Sequence, residues 1–312
     1  MKNKNGVMSV KAIIEKITEQ IQEGIYPGAS LALYRKGQWS EHYLGLADPE
    51  KGESVVADLV YDLASVSKVV GVATICAFLY AKGELSLDRP FKELYPPFAH
   101  EKTTIRELLT HTSGLDPFIP NRDQLDARQL KTALENLQLK EDKSFHYTDV
   151  NFLLLGFWLE DRFHQPLDRL FEELIFTPWK MTETRFGPVE KAVPTVRGVA
   201  SGSVHDPKAR VLGRHAGSAG LFSTVADLER FLEHYLKDDF ARDLSQNFAR
   251  EEGKTRALGW NLEGDWLDHT GYTGTFIMYN RKRQEAVIFL SNRTYEKDER
   301  AQWILDRNSL MD

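Results

Sequence analysis

The apolar positions at the start of the chain follow a helical period. Within residues 9–23 one face of the predicted helix collects Val10, Ile13, Ile14, Ile17 and Ile21. Ser9 precedes them and belongs to the residue types that cap helix N-termini. After "YPGAS", residues 29–48 read as two strands on either side of "RKGQ", which predicts a β-hairpin.

The middle of the chain is dominated by helical patterns. Residues 65–82 are apolar nearly all round and are followed by Gly83, which predicts a buried helix with a glycine stop. Further helical periods, separated by proline-rich breaks, cover residues 104–115, 125–139, 148–163, 167–176 and 226–236.

Strand patterns return near the C-terminus. Residues 274–280 and 285–292 flank a short basic turn as a hairpin, and residues 299–308 form a closing helix. We therefore expect an α+β fold, in which the two ends of the chain pair in one antiparallel sheet flanked by the terminal helices. The expected division is a sheet lobe of residues 1–64 and 200–312, and a mostly helical lobe of residues 65–199. The active site is expected between them, in one catalytic unit.

Composition narrows the class of protein. The 312 residues are 42% hydrophobic and 28% charged, which fits a soluble chain with a substantial core. A net charge of −6 argues against nucleic-acid binding, which needs a basic patch. No signal peptide is recognised, and no segment approaches the ~18 uninterrupted apolar residues of a membrane span. The single Cys76 lies in an apolar stretch, which favours a buried structural thiol, and it cannot form an intrachain disulfide, so nothing points to an oxidising compartment. With no signal peptide or membrane segment recognised, a cytoplasmic location is expected.

The first candidate for chemistry is the spacing of Ser65 and Lys68. At i,i+3 on a helix the two side chains share a face, and a lysine can activate a serine if its ammonium is destabilised. The alternative is a lysine that extends out of the buried helix to water. Ser65 also lies at the predicted helix N-terminus, where free backbone N–H groups favour a developing oxyanion. Ser67 points away from this face.

Two later segments carry further candidates. Tyr147 and Asp149 stand at a predicted helix start, where a tyrosine can shuttle protons or can simply pack ahead of an N-cap. Residues 268–276, "DHTGYTGTF", place glycines where a strand edge can approach a substrate closely. His269 is either a polar contact at this edge or an ordinary strand residue.

Other histidines suggest sites that the sequence does not favour. His111 and Ser113 are interpreted as a helix end with Gly114 as its cap, not as a second catalytic pair. Metal ligands would be available in residues 203–220, but their spacing is irregular, so we expect a loop that flanks the active site and no metal. These candidate ligands are His205, Asp206 and His215.

The order of these motifs resembles the serine β-lactamase and penicillin-binding protein superfamily, in its class C-like branch. The landmarks run through nearly the whole chain: "LASVSKVV", "KGELSLD", "LLTHTSGL", "YTDVNFLLLG", "FTPWKMTETRF", "GSAGLFSTVADLERF" and "HTGYTG". The resemblance implies a β-lactamase/transpeptidase-like fold and a serine hydrolase that needs no cofactor. Its substrate would be a small molecule or short peptide.

The same resemblance implies a role for each matched residue. Ser65 would be acylated, Lys68 would hydrogen-bond its Oγ, and Tyr147 would relay the proton, with either of the last two as the base. The oxyanion hole would be the backbone N–H groups of Ser65 and Tyr272. Substrate would be bound by Asp149, His269, Thr270 and Gly271.

Two positions depart from the pattern of the branch. Asp149 stands where asparagine is usual, and a carboxylate cannot donate a hydrogen bond as an amide does, although it can pair with Lys68. His269 stands where β-lactamases carry lysine, and a neutral imidazole attracts a substrate carboxylate less. We therefore expect an esterase or amidase first, a D-Ala-D-Ala-type peptidase second and a β-lactamase third. A non-catalytic binding protein with this fold is the alternative from another class.

Overall fold

The computed structural model describes residues 9–251 and 254–311. Strands in this part of the chain are β1 (Gly28–Arg35), β2 (Gln38–Asp48), β3 (Glu53–Ser54), β4 (Tyr61–Asp62), β5 (Arg185–Phe186), β6 (Leu221–Ser223), β7 (Asn261–Glu263), β8 (Trp266–Thr270), β9 (Phe276–Asn280) and β10 (Glu285–Ser291). Its α-helices are α1 (Val10–Gln22), α2 (Thr74–Ala81), α3 (Phe91–Leu94), α4 (Ile105–Thr110), α5 (Ala127–Glu135), α6 (Val150–Phe163), α7 (Leu167–Phe171), α8 (Pro207–Leu212), α9 (Val225–Lys237) and α10 (Arg300–Met311).

The two ends of the chain meet in the larger sheet. Its strand order is β3-β2-β1-β10-β9-β8-β7, and each neighbouring pair is antiparallel. β1 pairs with β10 in a register that sets Ala29 opposite Ser291. The predicted α+β fold with an antiparallel sheet built from both chain ends is therefore confirmed.

Both faces of β1 are buried, and successive side chains of the strand point to opposite faces of the sheet. On one face Leu31 packs in a cluster with Ile17 of α1 and Trp303 of α10. On the other face Ala32 belongs to the main core, which also holds Phe152 of α6. The terminal helices thus cover one side, and the helices of the middle segment share their core with the opposite side. The division into lobes at residues 64 and 199 stays a prediction.

The buried helix that carries Ser65 is less regular than its apolar pattern predicts. It begins with a 3₁₀ turn over Ala64–Val66, widens to a π-helix over Val69–Ala73 and continues as α2. A Cβ at Gly71 would lie 2.4 Å from the ring of Phe171, so this stretch requires the glycine. π-Helical turns are rare and occur frequently at functional sites.

The same helix is long and apolar on average. Among the described residues, Ala64–Ala81 is long and apolar enough to cross a membrane by length and composition alone. The stretch is not an uninterrupted apolar run, because it contains Ser65, Ser67 and Lys68. Of this stretch, 78% is buried inside the protein, as in the core helix of a globular domain.

Two further local features differ from the prediction: the end of α4 and a second, small sheet. α4 ends at Thr110 and is capped by His111 in the left-handed conformation (φ 58°), not by the predicted Gly114. A second sheet of order β4-β6-β5 was not predicted, since its strands are two or three residues long. The small sheet lies next to Ser65 in the chain, because β4 ends at Asp62 and the 3₁₀ turn begins at Ala64.

Candidate active site

A strained turn positions Ser65. The preceding Ala64 has φ 44°, in the left-handed region that non-glycine residues rarely adopt. The buried Asp62 holds this turn, because its Oδ1 accepts the Ala64 N–H at 2.7 Å and its Oδ2 accepts the His205 N–H at 2.8 Å. Burial raises the pKa of Asp62 to about 6, although both hydrogen bonds favour the carboxylate.

Lys68 is fully buried, and its ammonium group has three hydrogen-bond acceptors. Its Nζ donates to Ser65 Oγ at 2.9 Å, to Asp149 Oδ1 at 2.7 Å and to the carbonyl of Ser218 at 3.0 Å. These contacts account for three N–H donors. Burial alone would favour loss of the proton, but Asp149 and Tyr147 outweigh it and raise the pKa of Lys68 well above its usual range. Lys68 is therefore an ammonium ion at neutral pH, and it does not extend to solvent.

Asp149 stands at the N-terminus of α6 and contacts two lysines. Its Oδ1 faces Lys68, and its Oδ2 lies 3.3 Å from Nζ of Lys208. Burial opposes ionisation, but the two ammonium groups overcome this and lower the pKa of Asp149 to about 2. The pairing with Lys68 that the sequence suggested is present, and Asp149 is ionised there.

Tyr147 lies against the same ammonium. The Nζ of Lys68 is 5.2 Å from the centroid of the Tyr147 ring. The rings of His111 and His269 lie beside it, with centroids 4.6 and 6.2 Å away. His111 is itself fixed by Asn151, whose Nδ2 lies 3.2 Å from His111 Nδ1 and whose Oδ1 accepts from Ser113 Oγ at 2.8 Å. His111 and Ser113 therefore form a buried network behind Tyr147, which the sequence did not predict.

The turn between β8 and β9 is attached to the chain just ahead of Ser65. Thr273 Oγ1 donates to the carbonyl of Asp62 at 2.9 Å, and Thr275 Oγ1 donates to the carbonyl of Leu63 at 3.2 Å. A Cβ at Gly271 would lie 2.6 Å from the Leu63 oxygen, so only glycine permits this close approach. The predicted contact between this segment and the serine turn is thus made by backbone and threonine hydroxyls.

Tyr272, the residue after that glycine, is held at its backbone. Its carbonyl accepts from Nε and Nη2 of Arg293 at 3.0 and 2.7 Å, and Arg293 in turn pairs with Asp298 at 2.6 Å. The Tyr272 ring lies against His205, with centroids 5.5 Å apart. These two hydrogen bonds fix the Tyr272–Thr273 peptide, which directly follows the peptide that carries the Tyr272 N–H.

His269 is buried at the end of β8 and is uncharged. Its Nδ1 lies 3.2 Å from the carbonyl of Thr270, while its Nε2 has no hydrogen-bond partner among the described residues. Burial, with added repulsion from Lys68 and Arg256, lowers the pKa of His269 well below its usual range. The position where β-lactamases carry a lysine therefore holds a neutral ring in this chain.

The other candidates on the buried helix have structural environments. Ser67 Oγ accepts from the N–H of Leu221 at 3.1 Å and thereby joins the helix to β6. Cys76 is fully buried, and burial raises the pKa of its thiol to about 12. Neither group faces Ser65 and Lys68 in the way a reacting group would.

With this geometry described, comparisons with known proteins identify the family. A family model described as Beta-lactamase matches residues 13–310. The chain belongs to the beta-lactamase family. A putative D-alanyl-D-alanine carboxypeptidase of Escherichia coli K12 is 28% identical, covering 89% of this chain and 81% of the relative. A protein of the same description from Salmonella typhi is 25% identical with the same coverage.

Solved structures support the fold of this beta-lactamase family member. EstCE1, described as a hydrolase with promiscuous acyltransferase activity, aligns with a TM-score of 0.77 at 19% identity, over 96% of this chain and 97% of that one. A beta-lactamase/D-alanine carboxypeptidase from Pseudomonas syringae has a TM-score of 0.74 at 19% identity, over 96% and 98%. The likeness shows a β-lactamase/transpeptidase-like fold, and the family and its relatives support a hydrolase.

The sequence pattern did not identify Lys208 as a residue of the site. The expected loop of residues 203–220 contains α8, in which Asp206 caps the helix by accepting the Ala209 N–H at 2.8 Å and Pro207 occupies the first turn. This Asp-Pro pair is a helix-start signal that could have placed Lys208 on an ordered element facing the site. The histidines of the segment have separate partners, since His215 Nδ1 lies 2.6 Å from Glu160.

Proposed function

We propose that this chain is a serine hydrolase that forms an acyl-enzyme on Ser65. The observation that carries the proposal is the 2.9 Å contact between Lys68 Nζ and Ser65 Oγ, inside a buried group that also contains Asp149. An ammonium beside a hydroxyl stabilises the alkoxide that forms when the serine attacks a carbonyl carbon. Ser65 is partly exposed while Lys68 is fully buried, so a substrate could reach the serine oxygen while the ammonium stays shielded from water.

The protonation state of Lys68 assigns the proton transfer to Tyr147 in this proposal. Because an ammonium has no lone pair, Lys68 cannot accept the Ser65 proton in the state described above. Tyr147 would accept it while passing its own hydroxyl proton to the leaving oxygen or nitrogen. Lys68 then acts by charge, since it lies against both Ser65 and the Tyr147 ring.

The backbone N–H groups of Ser65 and Tyr272 would bind the carbonyl oxygen as it becomes an oxyanion. Support comes from the turn between β8 and β9, which is tied to Asp62 and Leu63 immediately ahead of Ser65. Thr270 and Gly271 would align the substrate along the edge of β8, and the neutral His269 would act as a hydrogen-bond acceptor. No cofactor is needed for this chemistry.

For the substrate we propose small esters or amides, with a D-Ala-D-Ala-type peptide as the second candidate. The neutral His269 favours the first, because it provides no cation for a carboxylate at β8. The second is favoured by relatives described as putative D-alanyl-D-alanine carboxypeptidases. β-Lactam hydrolysis comes third. The cytoplasmic location stays a prediction that fractionation of the native cells would check.

The nucleophile is tested by active-site labelling. A fluorescent fluorophosphonate and a fluorescent penicillin are offered to the wild type, to Ser65→Ala and to Ser67→Ala as the matched control on the same helix. We expect label on the wild type and on Ser67→Ala, none on Ser65→Ala, and the adduct mass on the peptide that contains Ser65. Folded wild type that reacts with neither reagent would point to the non-catalytic binding protein instead.

Substrate order is tested with a spectrophotometric panel. It consists of p-nitrophenyl butyrate, nitrocefin and a D-Ala-D-Ala peptide whose D-alanine release is assayed. We expect the highest kcat/KM for the ester. Release of D-alanine without turnover of the ester would reverse the first two candidates.

A further inference from the structure

Two lysines converge on Asp149 close to Ser65. Asp149 lies between the ammonium groups of Lys68 and Lys208, at 2.7 and 3.3 Å, so one carboxylate faces two cations. The lysine side chains are 0% and 14% exposed, so neither charge is strongly screened by water. His269 is neutral, and Lys208 on α8 is the partly exposed cation that contacts Asp149.

A cavity of about 230 Å³ opens at Lys208. Its charged lining consists of three cations and one carboxylate: Arg122, Lys208, Arg210 and Asp123. The carboxylate is already paired with Arg122 at 2.7 Å, and Arg210 donates to the carbonyl of His205 at 3.0 Å. Leu130 and Val211 add apolar surface. The cavity therefore combines a cationic wall with room for a short aliphatic chain.

We propose that Lys208 and this cavity bind a carboxylate carried by the substrate. This inference rests on the acyl-enzyme proposed for Ser65 and names the class of substrate that the site takes. The Asp149 contact needs only one of the three N–H donors of Lys208, so two can serve a ligand. A charge-assisted hydrogen bond to a largely buried ammonium is stronger than one at the open surface.

The carboxylate subsite is separate from the β8 edge. The elements that build it are α8 and the segment around residues 122–130, whereas the substrate strand edge is β8. A substrate can therefore lie along β8 at its scissile bond and place a second, acidic group toward α8. Lys208 becomes the specificity-determining residue in this arrangement, and Asp149 keeps it aimed at the cleft.

The test compares esters that differ by one carboxylate. The neutral substrate is p-nitrophenyl butyrate, the mono-4-nitrophenyl ester of glutarate carries the charge in the acyl chain, and 3-carboxy-4-nitrophenyl butyrate carries it in the leaving group. The quantity measured is the ratio of kcat/KM for each anionic ester to kcat/KM for the neutral one. A ratio removes any general effect of a variant on Ser65 or Asp149.

In Lys208→Met we expect this ratio to fall about tenfold for one of the two anionic esters, and the ester that responds shows which side of the substrate occupies the cavity. Lys208→Arg keeps the charge and should retain most of the preference. Arg214→Met is the matched control, because it removes one positive charge at a 57% exposed position paired with Asp168. Its ratios should equal those of the wild type.

The inference is overturned if Lys208→Met leaves both ratios unchanged, or lowers turnover of all three esters equally. The second result would make Lys208 a positioning residue for Asp149 alone. Failure of the acyl-enzyme proposal looks different, because no ester would then acylate Ser65 in the wild type. Salt gives an independent readout, since raising the ionic strength should weaken the preference of the wild type for the anionic ester and not that of Lys208→Met.

Discussion

Replacing Asp149 by asparagine removes the negative charge and turns one of its two acceptor oxygens into a donor, so it tests the electrostatics of the site. The two ammonium groups lower the pKa of Asp149 from 3.8 to about 2. At 1.36 kcal/mol per pH unit, this difference corresponds to about 2 kcal/mol of folding stability at neutral pH. We expect Asp149→Asn to lose about this much free energy of unfolding at pH 7.

The sign of the effect fixes its pH window. A carboxyl whose pKa is lower in the folded state stabilises the fold fully above its unfolded pKa of 3.8, and the contribution disappears as the pH falls through about 2. The difference between wild type and Asp149→Asn should therefore be constant above about pH 5 and fall to about half by pH 3. Urea denaturation followed by tryptophan fluorescence at pH 7, 5 and 3 measures it.

Asp123→Asn is the matched control, because Asp123 is 78% exposed and pairs with its neighbour Arg122 at the surface. Its effect should stay within about 0.5 kcal/mol. Equal stability of Asp149→Asn and wild type at pH 7 would refute the reasoning, and so would a loss that does not shrink in acid. A second consequence concerns Lys68, whose pKa is raised in part by Asp149. The alkaline limit of the pH–activity profile should move to lower pH in the variant.

Three further changes test other parts of the site. Tyr147→Phe should slow acylation by p-nitrophenyl butyrate about 10²–10³-fold in stopped-flow bursts, with unchanged thermal stability, and a normal burst would exclude Tyr147 from proton transfer. Gly71→Ala should cost about 1–3 kcal/mol in urea denaturation, because its Cβ would lie 2.4 Å from Phe171. In Asp62→Asn, one of the two oxygens that accept a backbone N–H is replaced by an NH₂ group, so two donors face each other. We expect a similar loss of about 1–3 kcal/mol. Because burial raises the pKa of Asp62 to about 6, wild-type stability should fall as the pH rises from about 4 to 6, and titration of the variant should lack this component.

The parts of the fold that could be predicted from sequence depend on local signals. Ser9 accepts the N–H of Ala12 as the predicted cap of α1, and the hairpins of β1–β2 and β9–β10 follow from alternation around short turns. The ion pair between Lys68 and Asp149 was foreseen because a buried ammonium needs a partner, and the departure from asparagine supplied one.

The remaining features depend on contacts between distant parts of the chain. The π-helix of Val69–Ala73 accompanies the packing of Phe171 against Gly71, about a hundred positions later, which no local pattern encodes. The sequence identified the helix end near His111 but not its contact with the Tyr147 ring, because that contact arises only when α4 and α6 pack together. Lys208 lies on a six-residue helix, too short for periodicity to reveal which way it faces.

The long sequence separations within the site have a consequence for biosynthesis. Lys68 needs the carbonyl of Ser218, 150 positions later, and the serine turn is fastened by Thr273, 211 positions after Asp62. Domains emerge from the ribosome N-terminal end first, and contacts this distant must wait for the later segments. We therefore expect the nascent chain to carry an unassembled serine until β8 and β9 have been made, and nascent chains arrested before β8 to resist fluorophosphonate. The chain would become reactive only after β8 and β9 have joined the sheet, so incomplete chains would not hydrolyse substrates.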